Sequence, residues 1–168
     1  MKQIVLGTAQ FGMIYGLNNK KKIPLKTIQS IINGARKNSI KFLDTASSYG
    51  NCEKILGKIG VSDFSIISKV ILKNPEIQSS NKWLVKTIKT TLNNLKVKKL
   101  YALLIHNPHF LKKDKKQKFF KSLITLKNTG LVKKIGFSLY SPDDLDELFY
   151  EYKFDIVQLP INIIDRRF

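Results

Sequence analysis

The sequence predicts an α/β chain of the (β/α)₈ TIM-type barrel class, incomplete at its C-terminal side. Three observations lead there. Short apolar runs alternate with amphipathic stretches along the 168 residues. The runs lack the every-other-residue polarity of a half-exposed sheet, which marks parallel strands covered by helices. The loop after the first run, Gly7-Thr8-Ala9-Gln10-Phe11-Gly12, lacks the Gly-x-Gly-x-x-Gly spacing of a doubly wound dinucleotide fold, and no P-loop occurs elsewhere. About six strands and five helices are expected, against the eight strands and about 250 residues of a complete barrel. Residues 1–168 are therefore read as one domain, the N-terminal part of a barrel, with the first and sixth strands as open edges.

The elements follow in order. Ile4-Val5-Leu6 is the first strand, ending at Gly7-Thr8, and Gly12 and Gly16 loosen the loop behind it. Ile28, Ile31, Ile32 and Ala35 repeat at helical spacing within Leu25–Asn38. Ile40–Leu43 delivers Asp44 at its end. Asn51 is the expected N-cap of the next helix, with Glu53 in its first turn and Ile55, Leu56 and Ile59 on its apolar side. The third strand, Phe64–Ile67, leads to Ser68-Lys69. After a loop with Pro75, Ser79-Ser80-Asn81 offers capping residues. Leu84, Ile88, Leu92 and Leu95 then face opposite Lys82, Lys86, Lys89 and Lys96. Leu100–Ile105 ends on His106-Asn107-Pro108. A helix over Lys115–Asn128 turns Phe119, Phe120, Leu123 and Leu126 inward, and Gly130 stands at its C-terminal cap. Lys134–Phe137 ends on Ser138. Ser141-Pro142-Asp143-Asp144 opens a helix with Leu145, Leu148 and Phe149 inward. Asp155–Leu159 is the last strand.

Composition removes several classes. Hydrophobic residues make up 43% and charged residues 25%, which is globular rather than disordered. No apolar run approaches the roughly 20 residues of a membrane helix, and the N-terminus is too short in apolar residues for a signal peptide. A single cysteine, Cys52, permits no internal disulfide, so the cytoplasm is the expected compartment. The net charge of +18 invites a nucleic-acid partner. Only Arg36, Arg166 and Arg167 carry the planar fork suited to phosphates and bases, however. The lysines, including the runs Lys20–Lys22, Lys96–Lys99 and Lys112–Lys118, read as solvated surface, with no specific nucleic-acid partner expected.

Parallel β/α barrels gather their chemistry at the C-terminal ends of the strands. Asp44, Lys69 and His106 sit at three successive strand ends, and Tyr49 lies on the loop after Asp44. Such a set suits proton delivery to a carbonyl oxygen. A phenol ionises near 10, an adjacent ammonium is expected to lower that value, an aspartate keeps the ammonium charged, and a histidine orients the substrate oxygen. The set supplies a proton but no electrons, so a hydride must come from a bound cofactor.

At these residues the chain resembles the aldo-keto reductase family, NAD(P)-dependent carbonyl reductases on a (β/α)₈ barrel. The resemblance is carried by Leu6-Gly7-Thr8-Ala9-Gln10-Phe11-Gly12, Phe42-Leu43-Asp44-Thr45-Ala46-Ser47-Ser48-Tyr49-Gly50, Ser68-Lys69, Leu104-Ile105-His106 and Lys134-Ile135-Gly136-Phe137-Ser138. It implies Tyr49 as the acid, Lys69 and Asp44 as its tuners, and His106 as the orienter of a small-molecule carbonyl substrate. It further implies that Ser138 and Gln158 hold the nicotinamide amide, that Thr8 lies near the cofactor, and that NADP is the cofactor, with NAD the other possibility. Leu139 departs from the family pattern, where many relatives carry a polar residue. No metal is implied.

Other residues carry plainer readings. His109 is expected in a solvated loop, Cys52 in packing, and Trp83, Phe119 and Phe120 in the core, while Asp165-Arg166-Arg167 reads as a surface ion-pair cluster. Two other functions compete with reduction: Lys69 as a Schiff-base nucleophile, and a catalytically inactive fragment or binding and regulatory member of the same family.

Overall fold

A computed structural model describes residues 3–16, 21–72, 81–108 and 113–168. Pro75, Ser79, Ser80, His109, Lys20 and Lys112 lie outside them, as does the side chain of Phe149. Six strands form one sheet in chain order: β1 (Val5–Gly7), β2 (Phe42–Asp44), β3 (Ser65–Val70), β4 (Leu100–Ile105), β5 (Val132–Ser138) and β6 (Ile156–Gln158). Every neighbouring pair is parallel. The helices are α1 (Ala9–Gly12), α2 (Leu25–Lys37), α3 (Cys52–Ile59), α4 (Asn81–Leu95), α5 (Lys113–Asn128) and α6 (Pro142–Glu151). Consecutive strands paired side by side, each followed by a helix, make a half-barrel.

The alternation of side chains across each strand divides the interior into two layers. Leu43, Ile66, Val70, Leu103, Ile105, Ile135 and Phe137 pack outward against Ile28, Ile32, Leu56, Leu84, Ile88, Phe119 and Leu123 of the helices, forming the main core. Ile67, Ala102 and Leu104 form a smaller cluster with Phe42, Tyr101 and Ile156. Asp44 and Lys69 share parity with Phe42 and Ile67, so they stand on the inner face.

Several boundaries shift from the sequence expectation, each for a tertiary reason. β3 runs on to Val70, so Lys69 lies inside the strand rather than beyond it; His106 N–H donates to the Val70 carbonyl at 2.9 Å and holds that extension. The loop expected after β1 contains a short helix. Its Phe11 is buried, and four residues are too few to show a helical period. Gly12 packs against the Tyr49 loop rather than loosening its own. Neither Asn51 nor Ser141 makes a side-chain capping hydrogen bond, although both occupy the N-cap position. The strands are not uniformly buried on both faces. β3 and β4 are almost wholly buried, whereas β1 and β6, each with a single neighbour, are partly exposed. Among the described residues no helix is long and apolar enough to cross a membrane.

The β5–β6 seam depends on a missing side chain. A Cβ at Gly136 would fall 1.7 Å from the Ile156 carbonyl oxygen, so only glycine lets β6 pair there and bring Gln158 level with Ser138. Gly136→Ala is expected to destabilise the chain by about 1–3 kcal/mol, as overpacking does. Urea unfolding measures this, and an unchanged midpoint would contradict the seam as described.

Candidate functional site

Lys69 is the organising side chain. It is 2% exposed, and a buried ammonium is tolerated only when its charge and its three N–H donors are met. All three are. Nζ donates to Asp44 Oδ1 at 2.5 Å, to the Thr45 carbonyl at 3.2 Å and to Tyr49 Oη at 3.3 Å. An ammonium so engaged has no lone pair for attack, which weighs against the Schiff-base reading.

The loop after β2 carries Tyr49 back to this lysine by continuing the sheet's pairing. Thr45 N–H donates to the Ile67 carbonyl and Ser47 N–H to the Lys69 carbonyl, both at 2.9 Å, and Ser47 Oγ donates to the same oxygen at 3.0 Å. The turn closes through Tyr49 N–H to the Ala46 carbonyl and Cys52 N–H to the Tyr49 carbonyl, each at 3.1 Å. From below, α1 presses on the turn: a Cβ at Gly12 would lie 1.9 Å from the Tyr49 carbonyl oxygen.

The acidity of the phenol runs opposite to the sequence expectation. Tyr49 is pushed up to about 12, first by burial and then by the Asp44 carboxylate, with Tyr15 and Cys52 adding smaller pushes. The main physical reason is burial, which disfavours the charged phenolate, and the Asp44 carboxylate adds to it by opposing a second negative charge beside it. Tyr49 thus keeps its proton through the physiological range. Because the ammonium can only donate, the phenol oxygen accepts from it, and the phenol's own proton is left for another acceptor.

His106 follows β4 and is fixed by its neighbour. Asn107 Nδ2 donates to the Leu72 carbonyl at 2.8 Å while Leu72 N–H donates to Asn107 Oδ1 at 2.9 Å, tying the loops after β3 and β4. The His106 ring stands edge-on to Tyr49, centroids 6.2 Å apart. Burial, then the Lys69 cation, lower its pKa against a smaller opposite push from Asp44, so the ring is neutral at neutral pH. Its Nδ1 is buried and finds no partner among the described residues.

Tyr49, Lys69 and His106 line a cavity of about 200 Å³ with Tyr15, Ser138, Leu139, Tyr140, Gln158, Leu159 and Pro160. Ser138 and Gln158 are register partners at adjacent strand ends. Gln158 Oε1 is a second buried atom without a partner among the described residues, an acceptor suited to the N–H groups of a carboxamide, so the residues fit a nicotinamide. Leu139 is buried and contributes backbone there: its N–H donates to the Gln158 carbonyl at 2.9 Å. Thr8 lines an adjoining hollow with Asp44 and Tyr49, but its hydroxyl is turned inward and donates to the Asp44 carbonyl at 2.9 Å.

Behind the site, Cys52 is fully buried and its Sγ donates towards the Thr8 carbonyl at 3.2 Å. Burial raises its thiol pKa, which suits packing. Glu53 stands in the first turn of α3, as expected, and is buried there; it accepts from Ser68 Oγ at 3.1 Å and from Asn94 Nδ2 at 3.4 Å, joining α3 to β3 and α4. Among the described residues no cluster of ligating side chains could hold a metal ion. The sequence pattern did not single out Tyr15 or Tyr140. The available signal for Tyr140 was its place two residues beyond a strand end; Tyr15 had none.

Compared with known proteins, residues 3–168 match the profile described as the aldo/keto reductase family. No curated protein matches in direct sequence comparison. Among solved structures, a Pseudomonas aeruginosa protein classed as an aldo-keto reductase superposes with a TM-score of 0.78 at 22% identity, over 97% of this chain and 64% of its own. A thermostable aldo-keto reductase in complex with the inhibitor epalrestat gives 0.73 at 25% identity, over 97% and 60%. A Bombyx mori aldo-keto reductase in complex with NADP gives 0.71 at 18%, over 94% and 54%. The chain therefore spans less than two thirds of these relatives. The first and third likenesses, below 25% identity, speak for the fold alone.

Two expectations follow from the geometry. Stranding a buried charge by removing its partner typically costs about 3–5 kcal/mol. The Lys69 side chain is 2% exposed and that of Asp44 13%, so Asp44→Asn, which leaves the ammonium alone, should lower the unfolding free energy more than Lys69→Met. Chemical denaturation of both variants ranks them, and the reverse order would sink the argument. Tyr49 holds its proton more tightly folded than unfolded, where it ionises near 10. Stability should consequently fall as pH rises from about 10 towards the folded value of about 12. His106, with its lowered folded pKa, should cost stability as pH falls below about 6.5. The difference in melting temperature between the chain and Tyr49→Phe should be constant through neutral pH, set by the lost Lys69 contact, and change only in the alkaline window.

Proposed function

The chain belongs to the aldo/keto reductase family, and from that premise we propose that it serves the NADPH-dependent reduction of an aldehyde or ketone to an alcohol, with Tyr49 as proton donor. NADH is the alternative donor. The observation that carries this reading is the single lysine that joins Asp44 to the Tyr49 hydroxyl at the floor of a cavity also lined by His106.

When bound, the nicotinamide cofactor supplies the hydride. The chain's residues handle the oxygen that gains negative charge as the carbonyl is reduced. Tyr49 gives its proton from Oη to that oxygen. A pKa of about 12 is low enough for the purpose, because an alkoxide's conjugate acid is about as weak an acid as water, weaker than this phenol. Lys69 Nζ, already donating to Oη, then stabilises the charge left on the phenol oxygen. Asp44 keeps the ammonium aimed and compensated. His106, neutral, orients the substrate oxygen by hydrogen bonding. Ser138 and Gln158 would hold the cofactor's carboxamide, the unmet Gln158 Oε1 accepting its N–H. Thr8 acts through backbone and shape, since its hydroxyl is already engaged.

Loss of NADPH absorbance with a panel of aldehydes and ketones tests the reading. Tyr49→Phe is expected to slow turnover by about 10²–10⁴-fold while NADPH still quenches tryptophan fluorescence as in the unaltered chain. An unslowed Tyr49→Phe would remove the proposed mechanism. NADPH binding without any turnover would favour the binding or regulatory role instead.

A further inference from the structure

Tyr140 has no part in the scheme above, yet it lies against one of its members. Two residues beyond β5 and 61% exposed, it lays its ring over the His106 imidazole, with centroids 6.5 Å apart and planes inclined by 29°. Its Oη is 3.5 Å from His106 Nε2, at the outer edge of hydrogen bonding. The other ring nitrogen, Nδ1, is buried and unmet among the described residues.

A neutral imidazole has one N–H and one lone pair, and a phenol can accept from the first or donate to the second. With the proton on Nδ1, a buried N–H would lack an acceptor, close to the Lys69 cation that already disfavours positive charge on this ring. With the proton on Nε2, that N–H meets the Tyr140 oxygen and only a lone pair goes unmet in the interior. Orphaned buried donors are rarer than under-used acceptors, so the second arrangement is favoured. It is also the one in which Nε2 can donate to an incoming carbonyl oxygen.

We propose that Tyr140 is a positioning residue whose hydroxyl oxygen occupies, on His106 Nε2, the place of the substrate's carbonyl oxygen. It holds the ring as the Nε2–H tautomer until substrate displaces it. Its exposure leaves it free to swing aside, since little packing opposes the movement. The displacement rests on the reductase reading; the tautomer rests on the geometry alone.

The test is nitrogen NMR of the uniformly labelled chain on the alkaline side of the histidine titration. The sequence has two histidines, so His109→Gln leaves His106 as the single imidazole. Long-range proton–nitrogen correlations are expected to show Nε2 protonated and Nδ1 bare. In Tyr140→Phe, which keeps the stacked ring and removes only the hydroxyl, that pattern should collapse into a mixture of the two tautomers. A native ring protonated on Nδ1, or an unaltered pattern in Tyr140→Phe, overturns the proposal. NADPH oxidation by the same two proteins separates the layers. A tautomer shift with no reduction of any carbonyl leaves the pairing standing and removes the displacement along with the reductase reading. Reduction with no tautomer shift removes the pairing alone.

Discussion

A lysine with almost no contact with water sets the terms for this molecule. Lys69 is inside a strand, and its ammonium can exist there only because a carboxylate, a carbonyl and a phenol oxygen surround it. Each partner imposes a demand. Asp44 must end β2 on the inner face, in the register that pairs it with Ile67. The loop after it must fold back along β3, through Thr45 and Ser47, to return Tyr49. Gly12 must lack a side chain so that α1 can brace the turn. The architecture at this end of the sheet is the set of conditions under which one buried cation is satisfied.

That satisfaction fixes the chemistry. The field of an uncompensated ammonium would favour the neighbouring phenolate; an ammonium already paired at 2.5 Å does so much less. With burial as the larger influence on both, the phenol stays protonated far above neutrality and the imidazole across the cavity stays neutral. Two proton-bearing or neutral groups around a hollow suit the capture of an oxygen that becomes strongly basic, and suit poorly a reaction that begins by removing a proton. Among the described residues, the two buried side-chain polar atoms without partners, on His106 and Gln158, both belong to residues lining that same hollow. A folded chain tolerates such atoms where a ligand is to meet them.

Elsewhere charge is handled by exposure and local pairing. Arg36 forks onto Asp63, Lys127 onto Asp155 and Arg167 onto Asp165, while Lys82, Lys86, Lys89, Lys98 and Lys99 stand in solvent. Among the described residues the positive charge is thus worn mainly outside, away from Lys69, whose charge is buried.

The sequence by itself determined the alternation of strands and helices, the parallel sheet with two open edges, and the inward sides of α2, α4 and α5, because apolar periodicity is a local record of which face is buried. It also marked Asp44, Tyr49, Lys69 and His106 as residues near strand ends, a placement that follows from where the apolar runs stop. It could not show that β3 outruns its apolar run to take in Lys69, since a buried lysine looks polar until its partners are seen. Nor could it show the short helix at Phe11, the buried Glu53, or the tyrosine lying on His106. The direction of the Tyr49 pKa was decided by tertiary structure alone. It depends on how closely the carboxylate sits against the ammonium and how far the phenol is drawn from water, and distances between residues 25 positions apart in the chain exist only once the sheet has formed.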